Sequence, residues 1–393
     1  MSDTANAWRL ETPGDAGWER SVRPGAPNKY FMVSADCHAN EPYDFLSSRI
    51  DESLKPRLPR VETDEKGDRW QITEGYRPTR IRFKQPLEGE DGLRNASGKT
   101  PEERLQDMAA DGVDAEIIFP NKGLSMWATP DPEFAMACCL CWNDWAWETF
   151  GAYNDRMSPM ACLATGDMAG SIAEVERAAK RGFRGLTLPS KPIFGAHDAR
   201  HPNYNLPMFD PLWAAIQDAD LPMTFHVSTG RDPRAAQGDG GAVINYVSHS
   251  LAPTIEPLAN LCASGVFERF PKLRFATIEA GIGWVAWALT AMDEAFKKHH
   301  MWVQPKLQGL PSDYFRAHGM ASFQEDVPGL HDAQAHDLAG NFMWANDYPH
   351  HEGTWPHSAE AIERTMGFLT EAERAQILGL NAAKFFNFDV PSV

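Results

Sequence analysis

From Thr100 onwards, short apolar segments alternate with longer segments that carry helix start and stop signals. Thr100-Pro101-Glu102-Glu103 is a capping box with proline at the first helical position, and Gly112 stands where that helix should end. The apolar segment from Ala115 to Phe119 then predicts a strand. The same order returns along the chain, with helix starts predicted at Asp131-Pro132, Ser171-x-x-Glu174, Asp210-Pro211 and Thr370-x-x-Glu373, and helix ends at Gly182 and Gly265. This alternation predicts parallel strands joined by right-handed crossovers.

Strands are predicted at eight places, near residues 31, 116, 161, 185, 224, 276, 322 and 344. Eight strand–helix units favour a closed (β/α)₈ barrel of the TIM type. An open doubly wound sheet fits less well, because the turn from Cys37 to Pro42 after the first strand is not glycine-rich. Gly281-x-Gly283 is only half of a dinucleotide-binding motif, and it indicates a tight strand-to-helix turn.

The chain of 393 residues is long enough for one large barrel with an insertion. Residues 1–29 are polar and predict an N-terminal arm, whereas residues 30–393 predict a single barrel domain. Residues 43–99 are charged and irregular, with several prolines and glycines. We interpret this segment as a long insertion after the first strand, since connections of this length are usually functional.

The composition narrows the classes of partner. With 37 basic and 54 acidic residues, the net charge is 37 − 54 = −17, which disfavours nucleic acid and anionic membranes. No apolar segment is long enough to span a bilayer, and the N-terminus has no signal-peptide core. The six cysteines show no disulfide or zinc-ribbon spacing. These features predict a soluble cytoplasmic protein that acts on a small molecule.

Ionisable side chains of metal-binding type stand at the ends of four predicted strands. Asp36 and His38 end the first strand and, two residues apart, point to the same face. His226 ends the fifth strand, Glu279 the sixth and Asp347 the eighth. The carboxyl ends of all strands of such a barrel meet at one mouth, where the active site lies. Two histidines with two carboxylates suit one divalent ion, Zn²⁺ or Mn²⁺, and we expect Glu279 to stand outside the ligands as a proton carrier or an orienting residue.

Each of these residues also has a plainer interpretation. Alone, Asp347 suits a turn before Pro349, and His226 suits a hydrogen-bonded core histidine. The joint occurrence of five such groups at one mouth favours the metal site over five separate coincidences. His350 and His351, which lie past Pro349, are interpreted as pocket wall or structure and not as ligands.

Four motifs in this order resemble the amidohydrolase-related family, in the branch that includes aminocarboxymuconate-semialdehyde decarboxylase and γ-resorcylate decarboxylase. They are Ala35-Asp-Cys-His38-x-x-Glu41-Pro42, His226, Arg269-Phe-Pro-Lys-Leu-Arg-Phe275 and Ala345-Asn-Asp347-Tyr-Pro-His350, and the resemblance spans Tyr30 to Phe388. It implies a distorted (β/α)₈ barrel with one divalent metal held by Asp36, His38, His226 and Asp347. Asp36 replaces the family's His or Glu, and Glu279 stands where many members have a catalytic histidine. Lys191 lies beyond Pro189, so no carbamylated lysine is expected and the site should be mononuclear.

The resemblance implies a metal-dependent, non-oxidative decarboxylase of a small, aromatic or unsaturated carboxylated substrate. Asp347, Glu279 or His249 would supply the proton. The same ligands would also suit a metal-dependent hydrolase in which Asp347 takes a proton from water, and a third possibility is a non-catalytic binding barrel. Arg231 and Trp355 are the candidate substrate contacts, and a homodimer is possible.

Overall fold

The computed structural model describes residues 30–81, 87–195, 202–229, 236, 238–299 and 307–390. Twelve strands lie in these ranges: β1 Val33–His38, β2 Arg60–Thr63, β3 Arg69–Ile72, β4 Thr79–Arg80, β5 Ala115–Phe119, β6 Met157–Pro159, β7 Ala161–Cys162, β8 Leu186–Leu188, β9 Met223–His226, β10 Phe275–Ile278, β11 Gly319–Phe323 and β12 Phe342–Trp344. The structure is therefore an α/β fold in which strands and helices alternate.

Helices separate most of the strands. The α-helices are α1 Gly89–Ala96, α2 Pro101–Asp111, α3 Pro132–Phe150, α4 Met168–Arg181, α5 Asp210–Asp218, α6 Gly241–Ile244, α7 Ile255–Cys262, α8 Val266–Arg269, α9 Val285–His299, α10 Pro311–His318, α11 Val327–Ala335, α12 Ser358–Met366, α13 Glu371–Ala375 and α14 Asn381–Phe385. Two π-helical segments, Asn245–Leu251 and Gln376–Leu380, follow α6 and α13. Among the helices described, none is long and apolar enough to cross a membrane.

The strands pair in two parallel sheets and one antiparallel sheet. The parallel sheets have the orders β1-β5-β6 and β12-β11-β10-β9-β8-β7, and a single residue, Met160, separates β6 from β7. Backbone hydrogen bonds also join the ends of β1 and β12, from His38 to the Tyr348 carbonyl and from Asp347 to the Asp36 carbonyl. The first and last strands of the parallel set therefore meet side by side at their carboxyl ends.

The buried side chains form two main cores, as expected when neighbouring residues of a strand point to opposite faces. The larger core lies between the strands and the helices and includes Met32 and Ile118. The second core collects alternate residues of several strands, such as Val33, Ala35 and Ile117. It also contains phenylalanines of the C-terminal segment, at 385, 386 and 388.

Most of the predicted elements are found. Strands lie at or next to all eight predicted positions, and Thr100 caps α2, which ends at Gly112 with φ +85°. The predicted helix start at Ser171 is wrong: α4 begins at Met168, and Asp167 is its N-cap residue. The Ser171 hydroxyl donates to the Ala164 carbonyl and does not cap the helix, whereas Asp167 does.

The segment predicted to follow the first strand as an insertion, residues 43–99, has elements of its own. Its described part contains the antiparallel sheet β2-β3-β4 and helix α1. The predicted N-terminal arm, residues 1–29, lies outside the described residues.

Candidate metal centre

Strand β1 brings two potential ligands to the buried end of the parallel sheet. The side chains of Asp36 and His38 are fully buried on the same face of the strand. Cys37, between them, points away and lies 3.2 Å from both the Ser34 hydroxyl and the Asn346 side-chain oxygen. The pairing of β1 with β5 shifts register between Ser34 and Cys37, so Asp36 and His38 converge at the strand end while Cys37 turns to the side of Ser34.

Backbone carbonyls fix the orientation of two histidine rings. His38 Nδ1 lies 2.9 Å from the Pro120 carbonyl oxygen, and His226 Nδ1 lies 2.9 Å from the Val227 carbonyl oxygen. A carbonyl only accepts, so each Nδ1 carries the proton and each neutral ring keeps its lone pair on Nε2. Both Nε2 atoms are therefore prepared to bind a cation.

Carboxylate oxygens surround these two nitrogens. His38 Nε2 lies 3.6 Å from Asp36 Oδ1, 3.3 Å from Glu279 Oε2 and 3.4 Å from Asp347 Oδ1. His226 Nε2 lies 3.3 Å from Asp36 Oδ1 and 3.2 Å from Glu279 Oε2. Two ligands of a tetrahedral zinc ion, each about 2.1 Å from the metal, stand about 3.4 Å apart. The spacing of these donors therefore fits one divalent ion.

Some of these oxygens are left without hydrogen bonds. Among the described residues, Asp36 Oδ2 and both carboxylate oxygens of Asp347 are buried and accept no hydrogen bond of normal geometry. Leaving a buried acceptor unsatisfied costs about 1–3 kcal/mol, and more when the group is charged. A cation offsets this cost, and the donor set of imidazole nitrogens and carboxylates suits zinc or manganese.

The pKa values of the site in the absence of an ion also favour a bound cation. Burial raises the pKa of Glu279 well above its ordinary value, and the charge of Asp347 adds to the effect. Burial and the charge of Asp36 likewise raise the pKa of Asp347. Burial lowers the pKa of His38. At His226 burial also acts to lower the pKa, but the charges of Asp36 and Glu279 and the hydrogen bonds to Asp36 and Val227 together outweigh it and raise the pKa. The carboxyl groups of Glu279 and Asp347 thus hold their protons more tightly when no cation is bound.

The backbone at three strand ends adopts the left-handed conformation that non-glycine residues rarely take. The φ angles are +58° at Glu279, +51° at Asp347 and +70° at Ser228, two residues after His226. Hydrogen bonds to segments distant in the sequence hold two of them, since the Glu279 amide donates to the Ser322 hydroxyl and the Asp347 amide donates to the Asp36 carbonyl. Such conformations cost about 1–3 kcal/mol each and cluster at functional sites.

Helix α2 supports the site from outside, although it carries no ligand. Three of its side chains, spaced so that they share one face, reach the ends of β1 and β12. Arg104 donates to the His38 carbonyl at 2.7 Å and lies over the Tyr348 ring at 4.7 Å. The remaining bonds of this face run from the Tyr348 hydroxyl to Asp107 and from the Asn346 amide to Asp111.

The structure brings together most of the residues predicted from the sequence. One ligand atom from each of Asp36, His38, His226 and Glu279 lies within 4.8 Å of the others. Glu279 thus lies among the possible metal ligands. It is closer to them than we expected from the sequence, which favoured a position outside the ligands. Asp347 belongs to a second, overlapping group, which is formed by His38, Glu279, Asp347 and His350.

The other predicted residues have different surroundings. Trp355 is only 3% exposed and packs edge-on against Tyr348, with ring centroids 4.8 Å apart, so its contact with substrate stays a prediction. His249 lies half-buried in the π-helical segment Asn245–Leu251 and belongs to neither donor group. Arg231 lies outside the described residues.

Two residues near the site were not predicted. His350, interpreted from the sequence as pocket wall, lies in the second donor group. Tyr246 lies in the π-helical segment, where burial and the charges of nearby carboxylates, first Glu279, raise its pKa to about 12. The repeated His350-His351 was a visible signal for the first residue, whereas no feature of the sequence distinguished Tyr246.

Known proteins resemble this chain over most of its length. The amidohydrolase family model (amidohydrolase 2) matches residues 35–388. A γ-resorcylate decarboxylase from Rhizobium radiobacter is 25% identical over 295 residues, which cover 73% of this chain and 86% of that protein.

Solved structures with low sequence identity share the fold. An amidohydrolase from Mycobacterium avium subsp. paratuberculosis K-10 superposes with a TM-score of 0.69 at 18% identity, covering 91% of this chain and 99% of that one. A dihydroxybenzoic acid decarboxylase from Polaromonas sp. JS666, solved with manganese and the inhibitor 2-nitroresorcinol, has a TM-score of 0.63 at 17% identity, covering 91% and 97%. Together with the family match over nearly the whole described chain, these similarities show that the protein belongs to the amidohydrolase family.

Proposed function

We propose that this protein is a metal-dependent, non-oxidative decarboxylase that acts on a small aromatic carboxylate. The observation that carries the proposal is the buried group of two histidine Nε2 atoms and three carboxylates, 3.2–3.6 Å apart, within an amidohydrolase fold. The similarity to γ-resorcylate decarboxylase supports the reaction class. The manganese in the dihydroxybenzoic acid decarboxylase structure supports the metal.

One divalent ion, zinc or manganese, would be held by Asp36, His38, His226 and Asp347, with Glu279 beside it. Both donor groups include His38, whose Nε2 faces Asp36, Glu279 and Asp347 and has a single lone pair, so they can serve only one ion at a time. Lys191 lies 3.5 Å from Glu256 and belongs to neither group, which agrees with a mononuclear site. When bound, the ion would stabilise negative charge that develops on the substrate.

The carboxyl groups of Asp347 and Glu279 would handle the proton. Their raised pKa values leave a proton on the group that does not face the cation. As the bond to the carboxylate breaks and CO₂ leaves, the electron pair stays on the ring carbon and takes this proton. The conjugate base then recovers a proton from water. One retained proton also makes two carboxylates and a divalent ion neutral, so that the site does not repel an anionic substrate.

Other residues keep the roles inferred from the sequence. We propose that Arg231 binds the substrate carboxylate, that Trp355 lines the pocket and that His249 is a further candidate for the proton donor. Arginine suits the first role because its planar guanidinium binds a carboxylate through two hydrogen bonds.

The proposal is tested by following CO₂ release. The metal-loaded protein is offered hydroxylated benzoates, in parallel with lactones and amides, and the products are also examined after reaction in D₂O. A decarboxylase releases CO₂ and places one deuterium on the carbon that lost the carboxylate. Hydrolysis of a lactone or an amide without CO₂ release from any acid would instead establish the metal-dependent hydrolase. A protein that takes up less than about a tenth of an equivalent of metal would leave only the non-catalytic binding barrel.

Metal affinity should rise with pH. The raised pKa values of Glu279, Asp347 and His226 mean that the metal-free folded protein holds protons that the unfolded chain would release. These protons stabilise the metal-free protein at low pH, and the contribution is lost as the pH rises through the raised values. Because metal binding displaces the same protons, affinity should increase by about tenfold per pH unit for each proton released.

Two measurements check this pH dependence. Calorimetric titrations with Mn²⁺ in buffers of different ionisation enthalpy should show net proton release. The metal-induced increase in Tm should grow between about pH 5 and pH 8. Affinity that does not change over this range would contradict the assignment of protonated ligands.

Four broader predictions complete the proposal. We propose that residues 30–393 form one domain with a closed barrel and that residues 43–99 are an insertion in it. The bonds between the ends of β1 and β12, and the direct succession of β6 and β7, support closure of the barrel.

The six cysteines are buried free thiols, which supports a reducing compartment such as the cytoplasm. A homodimer is supported by the exposed apolar residues Val243, Val247 and Trp287, and light scattering would test it.

A further inference from the structure

Asn346 directly precedes Asp347, and its buried side chain is bonded at both of its polar atoms. Its Oδ1 atom accepts from the Tyr348 amide at 3.3 Å and lies 2.9 Å from the Ser34 hydroxyl. Its Nδ2 atom donates to Asp111 Oδ2 at 3.0 Å. These partners fix which way the amide points, because an oxygen in place of Nδ2 would face the Asp111 carboxylate.

The bonds of Asn346 tie it to two separate elements. Ser34 belongs to β1, and its hydroxyl also accepts from the Asn346 backbone amide at 3.0 Å. Asp111 is the last residue of α2, and it also accepts from the amide and the hydroxyl of Ser358. Asn346 is thus held between a strand of the parallel sheet and the helix that supports this sheet from outside.

The backbone of Asn346 also closes the turn that begins at Asp347. Its carbonyl accepts from the Thr354 amide at 2.9 Å. A Cβ atom at Gly353 would lie 2.3 Å from the same oxygen, so glycine is required where the chain returns this closely. The turn that carries Asp347 therefore starts and ends against one residue.

The carboxylate of Asp347 has no comparable bonds of its own. Neither of its oxygens accepts a hydrogen bond of normal geometry from the residues that the structure describes. The neighbouring residues must therefore set its position. Asn346 is fixed on one side, and on the other the Tyr348 carbonyl accepts from the His38 amide at 2.6 Å while the Tyr348 hydroxyl bonds to Asp107.

We propose that Asn346 is a positioning residue that holds the Asp347 carboxylate at the candidate metal centre, and that Asp111 sets the orientation of the Asn346 amide. The position so fixed leaves Asp347 Oδ1 3.4 Å from His38 Nε2. This inference rests on the proposed function, in which Asp347 is a metal ligand. The alternative is that these buried bonds only stabilise the fold.

Reversal of the polar atoms separates these roles. Asn346→Asp keeps Oδ1 but replaces the donating Nδ2 by an oxygen, so that two carboxyl groups face each other. Adding Asp111→Asn restores a donor opposite an acceptor, with the direction of the bond reversed. Asn341→Asp is the matched control, because Asn341 is also buried, stands at the other end of β12 and donates Nδ2 to the Gly319 carbonyl at 2.8 Å.

Three measurements are made on each protein. Urea unfolding shows whether the variant folds and how much stability it has lost. Calorimetric titration of the metal-free protein with Mn²⁺ gives the affinity, and the visible absorption of the Co²⁺-loaded protein reports the arrangement of the ligands. Asn346→Ser removes the bond to Asp111 without adding a charge, and it takes the place of Asn346→Asp if that protein does not fold.

The Asn346 variant is expected to lose about 10–100-fold in Mn²⁺ affinity, the range for residues that orient metal ligands, and its Co²⁺ spectrum should change. The double variant should recover most of both. Asn341→Asp should lose stability but bind the ion as the original protein does.

Unchanged affinity and spectrum in a folded Asn346 variant would overturn the positioning role, and so would an equal loss of affinity in Asn341→Asp. A double variant that recovers nothing would overturn the part assigned to Asp111. If the original protein binds no divalent ion, the proposed function itself fails. Unchanged binding in the variants of a protein that does bind one refutes only this inference.

Discussion

Replacement of His226 by alanine is expected to leave the protein unable to retain a divalent ion. His226 Nε2 lies 3.3 Å from Asp36 Oδ1 and 3.2 Å from Glu279 Oε2, and the Val227 carbonyl fixes its ring. Without the imidazole, the ion loses a nitrogen donor, and Glu279, whose pKa burial raises, retains a proton that competes with the ion. The affinity should fall by more than about 100-fold, the upper end of the range for residues that only orient ligands.

Metal analysis of the purified variant, followed by titration with Mn²⁺, measures this loss. His318→Ala is a suitable control because His318 is partly buried and its Nδ1, like that of His226, lies close to a backbone carbonyl, here that of Leu273. His318 ends α10 immediately before β11 begins, so it lies at the opposite end of the strand from the candidate site. A His226→Ala protein with full metal content would show that the ligand assignment is wrong.

The second large effect is expected from Asp347→Asn. The amide has nearly the shape of the carboxyl group, and asparagine tolerates the left-handed backbone that Asp347 adopts, with φ +51°. The variant should therefore fold, but its amide cannot supply a proton to carbon. Loss of a general acid lowers the rate by about 10²–10⁴-fold, which is the reduction expected in kcat for CO₂ release.

Glu279→Gln is the matched comparison, because Glu279 is the other buried acid whose pKa is raised. Both variants are assayed at saturating metal, and their metal content is measured. Loss of a metal ligand is thereby distinguished from loss of the proton donor. If Asp347 is the donor, Asp347→Asn loses far more activity per bound metal than Glu279→Gln. The reverse order would assign the proton to Glu279, and full activity in Asp347→Asn would remove Asp347 from the chemistry.

Much of the site could be predicted because strand ends follow simple rules. Apolar segments bounded by caps located the strands, and parallel strands place their carboxyl ends at one edge. Asp36, His38 and His226 follow directly from this rule, and the structure places them around one point. Local signals of this kind involve only a few neighbouring residues, so they can be recognised in the sequence alone.

The parts that were not predicted depend on contacts between distant segments. The position of Glu279 among the donors, 3.2–3.3 Å from two histidines, follows from its left-handed backbone at the end of β10. The return of His350 onto His38 depends on bonds to Arg94, 256 residues away in the sequence. The helix start at Ser171 was misplaced because Asp167, one turn earlier, competes for the same role.

The seam between β1 and β12 determines when the candidate centre can be completed. Ser34 and Asn346 bond across this seam although 312 residues separate them, and at about 5–20 residues per second a ribosome needs roughly 15–60 s to add that length. Throughout this interval Asp36 and His38 lack the partners that the last strand provides. A newly made chain therefore gains its metal-binding capacity only near the end of synthesis, and an interrupted chain that lacks Asp347 never acquires it.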